Sequence, residues 1–198
     1  MKPLRWNRGD VFWESCQERA AYSWLEKKRM RAKFLWHLAY VYALLFFGAK
    51  DPRLAASLAN VSLLAKRAGR ESLAHRRMER ALSIWSMIPA WMEEMHIARR
   101  ARTSLYHLRL ELAHWSTYEA NLRRRMRNFA DETEASLQAL AGGRMPPHRH
   151  FARWRGEKPA IKDDTRKLLS ACLLLADVLV VPEDSCYKRV YSNTEEEV

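Results

Sequence analysis

The chain has 198 residues, a formal net charge of +12 and a pI of about 10.0. Its length suits one domain with a single core, in which about 70% of the unfolded surface is buried on folding. Only 6 Gly and 7 Pro stand among long Ala-, Leu-, Arg-, Glu- and Met-rich stretches, which argues against sheet turns and for an all-α fold of antiparallel helical hairpins.

So much positive charge attracts polyanions: nucleic acid, an acidic membrane surface or an acidic protein partner. An Arg-rich solvated surface is the bland alternative. Cys16, Cys172 and Cys186 are widely spaced and form no Cys-x-x-Cys pair, so neither a zinc knuckle nor a disulfide framework is indicated. A reducing intracellular compartment follows. Met1 to Trp13 has no apolar run, and Asp10 and Glu14 follow Arg5 and Arg8, which fits neither a secretory signal nor an organellar presequence. Import through an internal signal stays open.

In chain order, Asp10 is a candidate N-cap for a helix reaching Met30, and no Gly or Pro prevents it from running on to Gly48. The segment 34–49, FLWHLAYVYALLFFGA, is the most apolar. It is shorter than a membrane span, contains His37 and is flanked by basic residues, so it reads as a central buried helix, with a membrane contact as the alternative. Asp51-Pro52 starts the next helix, about Arg53 to Ala68, which Gly69 ends; another covers about Arg70 to Met87. Pro89 opens a long helix carrying Glu93 and Glu94 in its early turns. A capping box at Ser116-Thr117-Tyr118-Glu119 starts one that ends at Gly142-Gly143, which closes a helical-hairpin domain over 1–143. A basic aromatic loop, 144–162, follows. Asp163 and Asp164 cap a last helix, about Thr165 to Val180, packed on the domain over 163–182, and a polar tail, 183–198, ends the chain.

Between Leu58 and Trp85 apolar and small residues recur at helical spacing. Leu58, Val61 and Ala65 share one face; Ala74, Met78 and Ala81 share another; Gly69 supplies the turn. The stretch SLANVSLLAKRAGRESLAHRRMERALSIW resembles a tetratricopeptide repeat of the kinesin-light-chain kind over about residues 55–88. Leu58, Asn60, Gly69, Arg70, Ala74, Glu79, Arg80, Ala81, Leu82 and Ile84 carry the likeness, whereas Ala65 stands where the family has Tyr and Pro89 comes late. The resemblance implies a scaffold that holds other proteins. One repeat cannot bury its own faces, so an irregular bundle is the competing architecture. A weaker resemblance joins Leu105-Tyr106-His107 and the Arg-rich run to Phe129, about 104–130, to the mitochondrial LYR proteins, with His107 in place of their defining Arg. It implies a respiratory-complex or iron–sulfur-assembly adaptor.

No phosphate loop, His-Glu-x-x-His or Gly-x-Ser-x-Gly is present. Glu93-x-x-His96 and Glu111-x-x-His114 have di-iron spacing, but 18 residues of one helix separate them, about 27 Å. His148-x-His150 has no nearby Cys or carboxylate to complete a metal site. The reading is therefore a non-enzyme with no cofactor, no metal and no small-molecule substrate.

The basic clusters are the functional candidates. Arg123, Arg124, Arg127, Arg144, His148, Arg149, Phe151, Arg153, Trp154 and Arg155 combine phosphate-gripping guanidinium groups with rings on which unpaired bases stack. They point to RNA, with loop aromatics pinned to the domain as the structural alternative. The expectation is a scaffold or assembly subunit of a larger intracellular complex, a ribonucleoprotein such as an organellar ribosome. The alternative is a protein-only adaptor or an accessory subunit of a mitochondrial respiratory complex, with 34–49 facing membrane or partner.

Overall fold

The computed structural model describes residues 8–92, 127–144 and 167–179, apart from 129, 169 and 173. The fold is all-α, with no strand among the described residues. Two helical hairpins lead the chain: α1 (Arg8–Leu25) with α2 (Arg29–Phe46), then α3 (Pro52–Arg67) with α4 (Glu71–Trp85). Helical residues 127–141 (α5) and a C-terminal segment, 167–179, pack onto them.

The unbroken helix allowed by the sequence to Gly48 does not form. It breaks after Leu25, where Lys27 takes the left-handed φ of 63° and Lys28 N–H donates to the Ser23 carbonyl at 2.8 Å. A helix end can adopt this conformation without glycine, at a steric cost that tertiary packing must offset. The break lets α2 fold back on α1. Trp24 and Trp36, 5.8 Å apart, seal the closed end; Phe12, Tyr42, Phe46 and Phe47 cluster at the other.

The second hairpin forms where the periodicity places it. Asp51 caps α3 by accepting from Arg53 N–H at 2.9 Å, and Pro52 occupies the first turn. At the other end Gly69, with φ of 71°, turns the chain while Arg70 N–H donates to the Ala65 carbonyl. Leu58, Val61, Ala65, Ala74, Met78 and Ala81 are all buried. Ser62 donates to the Ala74 carbonyl at 2.6 Å, so small residues bring the backbones close here. α3 is buried on every side from Pro52 to Ala65, which makes it the central helix of the described residues. On the far side of α4, Trp85 donates to the Ala130 carbonyl at the start of α5 at 3.2 Å. α5 stops at Gly142-Gly143, as the sequence indicated, with Gly143 at φ 71°.

α2, read as the buried helix, lies instead at the edge. Only Ala32, Trp36, Ala39 and Ala43 are buried. Met30, Phe34, Leu45 and Phe46 are 77%, 65%, 68% and 68% exposed, and Val41 and Leu44 are exposed too. The physical reason is backbone distance. Alanines let α2 approach its neighbours closely, and Met30, Phe34, Val41, Leu44 and Leu45, about half a turn away, are left outside.

Candidate functional site

The described residues form a polar seam between α1 and α3, an outward apolar face on α2, and a basic pocket at the closed end of the first hairpin.

The seam is a ladder of side chains at helical spacing. Arg53 meets Asp10, Ser57 accepts from Trp13 Nε1 at 2.9 Å, and Asn60 donates to Gln17 Oε1 at 2.9 Å. These partners lie 43, 44 and 43 residues apart, so α1 and α3 run side by side in the same direction, one hairpin after the other. Gln17 also donates to Ser57 Oγ at 3.2 Å.

Arg53 is buried yet satisfied. It makes a two-point contact with Asp51, at 3.0 and 2.8 Å, meets Asp10 and lies with its guanidinium 3.5 Å from the centroid of the Phe47 ring. Burial pulls its pKa down, but hydrogen bonding and charge from Asp51, then Asp10, outweigh that and hold it above the ordinary Arg value.

The C-terminal segment crosses this seam. Asn60 Nδ2 donates to the Leu174 carbonyl at 2.9 Å, and Asn60 Oδ1 accepts from Ala176 N–H at 2.7 Å. One amide therefore reads both polar groups of a backbone at the point where helical residues give way to the 3-10 turn Asp177–Leu179. The sequence predicts one helix to Val180; the described backbone breaks at 174–176 instead, and Asn60 satisfies the groups that the break frees. Ser170 donates to Glu14 at 2.6 Å, and Arg67 Nε donates to the Leu179 carbonyl. Leu168, Ala171, Cys172, Ala176, Val178 and Leu179 enter the common core.

The basic pocket has a volume of about 250 Å³, opens to solvent and is lined by Trp24, Arg29, Lys33, Leu64, Arg67 and Ala68. Among the described residues its lining holds three cations and no carboxylate. Arg29 lies with Cζ 3.9 Å from the Trp24 ring centroid, and Arg67 with Cζ 5.3 Å from it. Burial, followed by the Arg29 charge, lowers the Arg67 pKa. Two like charges are thus held beside one indole ring. Lys66 Nζ lies 3.6 Å from where a side chain at Gly143 would begin.

Of the candidate RNA contacts, Arg127 and Arg144 are exposed. Arg123, Arg124, His148, Arg149, Phe151, Arg153, Trp154 and Arg155 lie outside the described residues, as do both Glu-x-x-His motifs, His148-x-His150, the Leu105-Tyr106-His107 tripeptide and the tail. Arg77, one of the second hairpin's basic residues, serves the fold: it donates to the Val61 carbonyl at 3.3 Å and lies over Tyr40. Among the described residues no group of three His, Cys, Asp or Glu is placed to hold a metal, and no helix is long and apolar enough to cross a membrane.

Sequence reasoning missed Arg53 and Asn60 in their structural roles, because their partners lie 43 and 116 residues away. The position of Arg53 directly after an Asp-Pro cap was the one available signal. The pocket is not visible in sequence because Arg29 and Lys33 only flank the apolar run 34–49 there, while Arg67 comes from another helix.

Comparison with protein-family models, curated proteins and solved structures finds no match to any of them.

Proposed function

We propose that this chain is a non-catalytic helical scaffold that joins a larger assembly through the outward face of α2. The observation that carries this reading is the inversion of that helix. Its alanines face inward, while Met30, Phe34, Val41, Leu44 and Leu45 face solvent. An apolar patch of this kind marks an interaction surface when it is contiguous, and these residues recur at helical spacing along one face. The seam between α1 and α3 offers no comparable opening, because the chain's own residues 167–179 lie across it.

The tetratricopeptide-like reading belongs to this proposal. Two successive hairpins with parallel first helices suit a repeat array, and Gly69, Ala74 and Ala81 sit at the close approach of the second. The register of 43 or 44 residues between the hairpins is longer than the 34 of that repeat, so the array is an expanded one.

A ribonucleoprotein is the second reading, favoured by the net charge of +12 and the exposed Arg127 and Arg144. A native pull-down from source cells, split into nuclease-treated and untreated halves and run beside a Phe34→Ser variant, separates the two. The scaffold reading expects a defined set of partners that survives nuclease and is lost with Phe34→Ser. Partners lost with nuclease and kept by Phe34→Ser would replace it with the ribonucleoprotein.

A further inference from the structure

We propose that the occupant of the outward α2 face is a second copy of this chain, with the two α2 helices packed antiparallel about a two-fold axis that passes between His37 and Leu38. The proposal rests on the reading of α2 as a docking face and names the partner that this face takes.

The first observation is the symmetry of the stripe. A two-fold interface is isologous: one patch must fit its own copy with the direction reversed. The exposed Met30, Phe34, Val41 and Leu45 are separated by four, seven and four residues, the same spacing in either direction. The middle of that set, between His37 and Leu38, is also the middle of the helix Arg29–Phe46. At 100° per residue the four side chains fall within about 60° of arc. Laid against its own copy in the opposite direction, the helix sets Met30 against the partner's Leu45 and Phe34 against the partner's Val41. Each contact pairs a long or aromatic side chain with a shorter branched one. His37 and Leu38, both partly buried, span the gap between the two contacts.

The second observation is the distribution of charge. α2 carries Arg29, Arg31 and Lys33 within its first five residues and no Asp, Glu, Lys or Arg from there to Phe46. No acid stands in its first turn and no base in its last, and Lys28 at the N-cap makes no side-chain capping bond. The helix thus opposes its own dipole: cations lie at the positive end and none lies at the negative end. An antiparallel pair corrects both ends. Arg31 comes opposite the partner's Leu44, beside the last-turn carbonyls that carry the negative end. The Arg31 residues of the two copies are then about 20 Å apart along the axis, beyond the screening length of about 8 Å at physiological salt. A parallel pair would gather the cations of both copies at one end, so charge sets the direction that the spacing allows.

Of the occupants open to this face, only a second copy requires a spacing that reads alike both ways. RNA would use the cations and leave the apolar stripe unexplained. α2 is about 27 Å long, and one helix pair of that length falls below the standard interface of about 1,600 Å², so the pair is reversible and dissociates on dilution.

The test is sedimentation velocity of the full chain from low to high micromolar concentration. The expected result is a shift from 23.3 kDa toward twice that mass as concentration rises. Phe34→Ser should abolish the shift and, at dilution, keep the wild-type melting temperature. Mild oxidation in a Cys186→Ser background reads the direction, because Cys16 and Cys172 are buried. Chains carrying Met30→Cys or Leu45→Cys should not cross-link alone and should cross-link when mixed. In the antiparallel pair like positions lie about 22 Å apart along the axis, too far for a disulfide, and unlike positions face each other. A chain that is monomeric at every concentration overturns the proposal, and so does cross-linking of Met30→Cys to itself. A monomer that floats with lipid vesicles assigns the face to a membrane and overturns it as well. If the chain is monomeric but Phe34→Ser still releases it from its native assembly, the docking face stands and only the second copy falls. If Phe34→Ser changes neither mass nor assembly, both fall.

Discussion

Asn60 Oδ1 accepts a hydrogen bond of 2.7 Å from the backbone N–H of Ala176, 116 residues further along the chain. The same amide donates to the carbonyl of Leu174 and to Gln17. A single side chain on the central helix therefore ties the first helix and the last described segment to one point. Asn60→Ala should remove all three bonds and leave buried polar groups on both partners. The expected loss is about 2–4 kcal/mol in urea unfolding. Limited trypsin digestion should then cut at Lys167 faster than in the wild type. Equal cutting rates would mean that the apolar contacts of Leu168 and Cys172 hold the segment without the amide.

Arg53→Met should be the most destabilising substitution in the first half of the chain. It leaves Asp10 and Asp51 facing each other without the cation that both contact. Breaking a buried pair in this way costs about 3–5 kcal/mol. Chemical denaturation measures it, and a loss below about 1 kcal/mol would show that water reaches the two carboxylates.

The close approach of α3 and α4 sets a third expectation. Ala81 has no exposed surface, and Ser62 bonds to the backbone at Ala74. Ala81→Leu forces the helices apart and should cost about 1–3 kcal/mol. A melting temperature equal to the wild type would refute the contact.

Cys16 gives a pH dependence with a definite sign. Burial pushes its thiol pKa above the ordinary 9.0, against a smaller opposing pull from Arg19. The folded chain then holds its proton where the unfolded chain loses it, so folding stability is complete below pH 9.0 and falls as pH rises toward the folded pKa. Stability measured against pH should fall less steeply in Cys16→Ala than in the wild type above that point. Parallel curves would show that the thiol titrates alike in both states.

The second hairpin was legible because its signals are local. Asp51 and Pro52 cap a helix, Gly69 ends it, and Ala74, Met78 and Ala81 recur at the spacing of a single face. The first hairpin was less legible for an equally physical reason. Lys27 turns the chain without a Gly or Pro to announce it. α2 has apolar residues around much of its circumference, so periodicity could not say which side is buried. Side-chain size decided that, through Ala32, Ala39 and Ala43. The seam and the pocket were illegible because they assemble residues from different helices: Asp10 with Arg53, and Arg29 with Arg67. No spacing within one segment encodes such a meeting.

The most direct measurement of the central claim takes one double variant, Phe34→Ser with Leu45→Ser, and reads two quantities from it. The first is its unfolding free energy, and the second is the size of the native complex that it enters in source-cell extract. Both residues are about two-thirds exposed, so the expected result is stability within about 0.5 kcal/mol of the wild type and loss of the large complex. A variant that unfolds would place the α2 stripe in the core, and one that folds and stays in the complex would show that docking occurs elsewhere; either result contradicts the account.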